Sequence, residues 1–210
     1  MPLDHRANGR SKALGAFYTD AQLAEFLTRW AVRSPNETVM DPSFGEGVFL
    51  RAACRRIVSL GGNPGRQVFG IEIDPDVHRR ISADLPDELR LRRSNLMQAD
   101  FFDVDPDRLG KVDVVVGNPP FIRYQRFKGN SRKKALEKAK SHGVSLSKLS
   151  SSWAAFLIHS IEMVNKGGRL AFVIPMEIAH AAYALPVIGH LRTSFKEVIF
   201  LTFQKKLFRD

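Results

Sequence analysis

The chain has 210 residues, 44% of them hydrophobic, with 32 basic against 22 acidic side chains and a net charge of +10. This length and apolar content exclude a disordered chain and allow one sizeable core, while the basic excess favours a polyanionic partner, because neutralising phosphates releases counterions. The one cysteine, Cys54, excludes an internal disulfide and points to a reducing compartment. No apolar run has the length of a signal peptide or a membrane span, so the chain reads as soluble and cytoplasmic, with no membrane partner. The histidines are scattered and offer no metal-site spacing, so no metal is expected.

Residues 1–15 read as a flexible N-terminal arm, and 16–210 as one catalytic domain. A helix is expected from Thr19, which has capping-box spacing to Gln22. Leu23, Phe26, Leu27, Trp30 and Ala31 would form its apolar face. A short strand in "ETVMD" leads through the turn "PSFGEG" to a helix from Val48 to about Leu60, broken by "GGNPG". "QVFGIEID" reads as a second buried strand, and Asp74-Pro75 as the cap and first turn of the next helix. A weak third strand is expected over Leu89 to Arg93, before "QADFF". The fourth is "VDVVVG", which runs into Asn118-Pro119-Pro120-Phe121. Residues 125–150 interrupt the alternation with a basic insert and one helix at "SRKKALEKAK". A long helix from about Ser152 is expected to end at "KGG". "RLAFVIP" would be the fifth strand, Leu185 to Thr193 a helix, and "EVIFLTF" a sixth strand. Strands alternating with helices predict a mainly parallel sheet with helices on both faces.

Ligands of such sheets bind beyond the carboxyl ends of the strands. Those ends carry Asp41 with Gly45 and Gly47, Glu72 with Ile73, Asp100 with Phe101, and Asn118 to Phe121. The first turn lacks the Lys-Ser/Thr of a phosphate loop, and its acids Asp41 and Glu46 would repel a pyrophosphate. An acid there suits an ammonium group. Glu72 suits ribose hydroxyls, Asp100 suits an exocyclic amine, and Ile73 and Phe101 suit the faces of a flat ring. The ligand so described is a nucleoside carrying an amino acid, as S-adenosylmethionine (SAM) is. The fourth strand end then faces the methyl acceptor. Asn118 offers a carbonyl, and consecutive prolines fix the direction of the local backbone carbonyls. Two carbonyls accepting the hydrogens of a planar amine would free its lone pair and stabilise the positive charge that develops. Phe121 would stack on a planar substrate.

In this motif order the chain resembles the gamma-type, N6-adenine-specific DNA methyltransferases of restriction-modification and related phage-defence systems. "GAFYTD" is similar to the family's N-terminal SAM motif, "DPSFGEG" to the first SAM loop, "GIEID" to the ribose-binding strand and "ADFF" to the adenine-binding turn. "NPPFIRY" is similar to the catalytic motif and "GGRLAFVIP" to a later structural one. The resemblance implies a Rossmann-like SAM-dependent methyltransferase domain that transfers a methyl group to the N6 amine of an adenine flipped out of double-stranded DNA. It further implies that Phe17, Tyr18 and Thr19 line the methionine end, that Asp41 holds the amino group and that Glu72 holds the ribose. Ile73, Phe101 and Asp100 would meet the cofactor adenine, Asn118 and the Pro119 carbonyl the target amine, and Phe121 the target base.

Asp20 stands where the family commonly has proline, and it too suits a helix start. Phe208 matches a second stacking aromatic, two residues from the end of the chain. The family continues into a last strand and a target-recognition domain. The expectation is therefore a catalytic portion without its last strand, completed by a C-terminal recognition domain or a separate specificity subunit. The basic insert, with Tyr124, Arg126, Lys133 and Lys134, is expected to contact DNA phosphates without reading sequence. Two other readings use the same fold. One is methylation of a protein glutamine amide or an RNA base, by enzymes that generally lack a motif like "GAFYT". The other is a non-catalytic nucleic-acid-binding module, against which the intact Asn118, Asp41 and Glu72 argue.

Overall fold

A computed structural model describes residues 19–147 and 149–202, which fall into two compact units. The sheet unit comprises Thr19–Asn118 and Ser160–Val173. The described part of the other unit comprises residues 119–147, 149–159 and 174–202.

The sheet unit begins with helix α1, Ala21–Ala31. Asp20, not Thr19, is its cap: the carboxylate accepts from the Gln22 amide at 2.8 Å and the Leu23 amide at 3.3 Å. The buried stripe is also rotated from the expected one. Leu23, Ala24, Thr28 and Ala31 face inward, whereas Phe26 and Trp30 are exposed, the latter beneath the Arg33 guanidinium. Small residues at i, i+4 and i+7 let the helix lie close to its neighbours, which moves the two large rings to its flank.

Five parallel strands follow, β1 (Val39–Asp41), β2 (Val68–Glu72), β3 (Leu96–Gln98), β4 (Val112–Gly117) and β5 (Val164–Phe172), in the order β3-β2-β1-β4-β5. Consecutive residues are buried along β1 and along β4 from Val114 to Val116, so both sheet faces are covered. One face, with Val39, Val68, Val114 and Val116, joins a core with α1, with α2 (Val48–Ser59) and with α3 (Pro75–Leu89). Asp74 caps α3 as expected, accepting from the amides of Asp76 and Val77.

The amino-terminal end of the sheet fixes its register. Asp113 accepts from the Thr38 amide at 2.8 Å, the Thr38 hydroxyl at 2.9 Å and the Asn165 amide group at 3.0 Å. Burial raises the Asp113 pKa, but these donors and the nearby Arg169 outweigh it, and the carboxyl is held below its ordinary value. Arg169 in turn pairs with Glu37. These contacts tie β1, β4 and β5 together and so set how their opposite ends line up.

Three strand expectations are corrected. Leu89 closes α3 and residues 93–95 form a 3-10 turn, so the third strand lies at Leu96–Gln98. "KGG" lies inside β5, where the ladder shifts register. Gly167 has φ +81°, and a Cβ on Gly168 would stand 2.5 Å from the Asp113 carbonyl oxygen, so the pair makes a bulge that only glycine fits. Residues 197–202 form no strand, and Ile199, Phe200 and Leu201 are exposed, with no described strand beside them to take their ladder bonds.

The second unit carries α4 (Gly129–Ser141), the first part of α5 (Ser152–Glu162) and α6 (Leu185–Ser194). α4 and α6 cover their expected segments, whereas α5 ends at Glu162, before the expected "KGG", and is buried from Ser152 to Ile161 on every side instead of along one face. No helix among the described residues is long and apolar enough to cross a membrane.

Candidate active site

From β1 the chain moves outward through β2 to β3, then returns to the other side of β1 for β4 and β5. The order reverses between β1 and β4, and the crevice beyond their carboxyl ends is where such a sheet takes its ligand. Asp41 ends β1, Glu72 ends β2, and Gly117 ends β4 with Asn118 following.

Asp41 is 2% exposed, and its Oδ1 accepts from the Ser43 amide at 3.1 Å. Burial pushes its pKa up to about 8, against the Ser43 amide that holds it down and with added repulsion from Glu72. Glu72 is 8% exposed. One of its carboxylate oxygens accepts from the Gly45 amide at 2.9 Å and the other from the Asp74 amide at 2.8 Å. Burial also raises its pKa, partly offset by those amides. The left-handed turn at Gly45, φ +48°, belongs to the loop whose amide Glu72 holds. Gly47, φ +76°, starts α2 so close to α3 that a Cβ would stand 2.6 Å from a Leu85 methyl. Two buried acids at adjacent strand ends can accept from hydrogen-bond donors and could offset a cation. Glu46 plays no part in it, being paired through both carboxylate oxygens with Arg80 at 2.8 and 2.6 Å.

The Asn118 side chain donates from Nδ2 to the Thr19 hydroxyl at 3.0 Å, and its backbone carbonyl accepts from the Ser43 hydroxyl at 3.4 Å. Hydrogen bonds thus link Asp41, Ser43, Asn118 and Thr19 at one end of the sheet, with the Gly45–Glu72 pair at the same end. Asp100 accepts from the Phe102 amide at 3.1 Å and caps a 3-10 turn, Phe101 is buried, and Ile73 is exposed. Phe17, Tyr18 and Phe208 lie outside the described residues.

In the second unit Pro119 is buried and Phe121 half-buried. The Pro120 carbonyl accepts from the Ser152 hydroxyl. Tyr124, Arg126 and Lys133 are exposed and Lys134 is half-buried. Helix α4 buries Ala135 and Ala139 and so turns its basic side chains away from the unit's interior. Lys133 pairs only loosely with Glu137, at 3.9 Å, while Arg132 bonds the carbonyls of Tyr124 and Phe127 and fastens the loop to the helix.

Ser43, Gly117 and Ser152 escape a reading of the sequence. Gly117 sits at the end of an apolar strand, where glycine reads as a turn residue. A Cβ there would stand 2.9 Å from the Asp41 Oδ1. Gly117→Ala is expected to push the buried carboxylate from its place at a cost of about 1–3 kcal/mol. A urea midpoint that falls with an unchanged slope is the signature, and an unshifted midpoint would show that the approach is not tight.

Comparison with known proteins adds to this geometry. The family model described as N-6 DNA Methylase matches residues 2–182. The Type II methyltransferase M.AccI of Acinetobacter calcoaceticus is 24% identical over 216 residues, which cover 100% of this chain and 36% of that protein. Among solved structures, the type I restriction-modification methyltransferase subunit of Streptococcus thermophilus superposes with a TM-score of 0.64 at 22% identity, over 83% of this chain and 38% of that one. The type IIG restriction endonuclease BpuSI gives 0.71 at 20% identity, over 88% and 23%. These two are likenesses of fold. The chain spans about a third of the length of curated relatives it matches.

Proposed function

The chain belongs to the N-6 DNA methylase family, and from that premise we propose that it is the catalytic part of a SAM-dependent enzyme that methylates the N6 amine of adenine in double-stranded DNA, in a restriction-modification or defence system. The observation that carries the proposal is the placing of buried Asp41 and Glu72 and of Asn118 at the ends of β1, β2 and β4, around the point where strand order reverses.

The residues fit SAM chemically. Asp41 is a buried acid for the amino group. Glu72 accepts from the Gly45 and Asp74 amides, is also drawn on by the Ile73 amide, and keeps acceptor capacity for a ribose hydroxyl. The absence of a side chain at Gly117 lets the Asp41 carboxylate lie close against the end of β4. Phe17 and Tyr18 would complete the methionine end. Ile73, Phe101 and Asp100 would meet the adenine ring and its amine. SAM, when bound, supplies an activated methyl group. The chain supplies acceptors for the target amine, from Asn118 and the Pro119 carbonyl, and rings for the base, from Phe121 and Phe208. A carboxylate base is not needed, because the amine is made nucleophilic by what its hydrogens are given to. The whole enzyme would draw on a recognition domain or specificity subunit to choose its sequence, and would act in the cytoplasm.

Tritiated SAM offered with duplex DNA, RNA and protein acceptors tests this reading, with the protein taken as its own cells assemble it. Label on DNA adenine is expected. Label on RNA or on a glutamine amide instead would overturn the DNA reading. The basic insert gives a second expectation. Lys133 and Lys134, with Tyr124 and Arg126 beside them, would meet phosphates, each contact releasing nearly one counterion. Reversing both lysines to Glu is expected to weaken DNA binding about tenfold or more at moderate salt and to lower the slope of log affinity against log salt by about 2. An unchanged slope would place the DNA elsewhere.

A further inference from the structure

We propose that Ser152 is a positioning residue for methyl transfer, holding the Pro119–Phe121 turn through both functions of its hydroxyl. This rests on the reading of that turn as the acceptor side of the reaction. Ser152 is 1% exposed. Its hydroxyl donates to the Pro120 carbonyl and accepts from the Ile122 amide at 2.8 Å, while its own amide donates to the Ile122 carbonyl at 3.0 Å. Three hydrogen bonds from one residue therefore bracket Phe121 on both sides. Two consecutive prolines have no N–H with which to anchor their own turn. The turn relies on its carbonyls and on the amides that follow the prolines, and Ser152 takes the Pro120 carbonyl and the Ile122 amide.

Ser152 is itself braced. The Ser151 hydroxyl donates to Glu177 Oε2 at 3.3 Å, the Trp153 indole donates to the Tyr183 hydroxyl at 3.2 Å, and the Tyr183 hydroxyl donates to Glu177. Trp153 is fully buried. The start of α5 thus has little freedom, and it passes that rigidity to the turn. Small displacements of reacting groups are expensive in rate, so a residue that touches no substrate can still govern turnover.

The test compares Ser152→Ala, which removes both hydroxyl bonds and keeps the amide one, with Ser152→Cys, which keeps the shape with a weaker donor and acceptor. Hydrogen exchange at the Ile122 amide is expected to quicken by about tenfold in the alanine variant. The melting temperature should stay within a few degrees of wild type. kcat for labelled methyl transfer should fall on the order of tenfold with KM for SAM unchanged, the cysteine variant lying between. Unchanged Ile122 exchange overturns the inference without any need for turnover. Faster exchange with wild-type kcat overturns it too, since Ser152 would then be structural only. If the wild type labels RNA or protein, the DNA reading fails separately, and the Ser152 comparison is made on that acceptor.

Discussion

Replacing Asp41 with Asn is expected to stabilise the ligand-free protein and to remove most of its affinity for SAM, two effects of opposite sign from one carboxylate. The folded pKa of Asp41 is about 8, against an ordinary value of 3.8. Below about pH 4 the group is neutral in both folded and unfolded chains and costs nothing. As pH rises toward 8 the unfolded chain ionises while the folded one keeps its proton, so stability falls through that window and levels off above it. Asn carries no such cost and can still accept from the Ser43 amide. By that linkage the gain at pH 8 is on the order of 5 kcal/mol, or a rise of roughly 10–20 °C in melting temperature for a chain of this size. The difference between variant and wild type should widen from pH 4 to pH 8. A constant difference would mean that Asp41 does not titrate in this window.

Binding reads the same carboxylate from the other side. An ammonium group needs Asp41 ionised, so below pH 8 the affinity for SAM should climb with pH as the proton is displaced. Above about pH 8 the ligand's own α-amino group loses its proton, and affinity should fall again. Asp41→Asn is expected to bind SAM on the order of 100-fold more weakly, without the rising limb. Calorimetry in buffers of different ionisation heat would show proton release below the maximum in the wild type and none in the variant. In the proposed function, Asp41 would give up stability for a charge the ligand requires.

The sheet could be read from sequence wherever its strands are long and apolar. β4 announces itself by Val112 to Val116, and β1 and β2 by apolar runs closing on Asp41 and Glu72. β3 could not be read. It has three residues, of which only Leu96 is buried, and the apolar Leu89 and Leu91 nearby belong to a helix end and a loop. The glycines of "KGG" look like a helix stop because periodicity carries no information about a bulge. The same division holds in the site. Acids at strand ends stand out, because charge is rare where a sheet is buried. Gly117 and Ser152 do not, because their importance comes from partners far along the chain, Asp41 for one and Pro120 with Ile122 for the other. Thr19 is a candidate from sequence alone, but its contact, to the Asn118 side chain 99 positions away, is not readable there.

That contact decides what Asn118 can do, and gives the other large effect. Nδ2 donates to the Thr19 hydroxyl at 3.0 Å, and in the proposed reaction this contact would favour the amide orientation that turns its carbonyl oxygen to the target amine. If Asn118 has the proposed role, Asn118→Ala removes an acceptor for charge developing in the transition state, and is expected to lower the single-turnover methyl-transfer rate by about 100- to 1000-fold. SAM affinity should stay within about twofold, since an interaction made only in the transition state does not appear in ground-state binding. Thr19→Val keeps the shape of the side chain but takes away the acceptor that orients the amide. The amide can then present N–H where C=O is needed, and a loss of about tenfold is expected. Joined in one protein, the two changes should cost no more than Asn118→Ala alone, because orientation has no value once the oriented group is gone. Full additivity would separate Thr19 from Asn118, and a transfer rate in Asn118→Ala close to that of the wild type would remove Asn118 from the chemistry altogether.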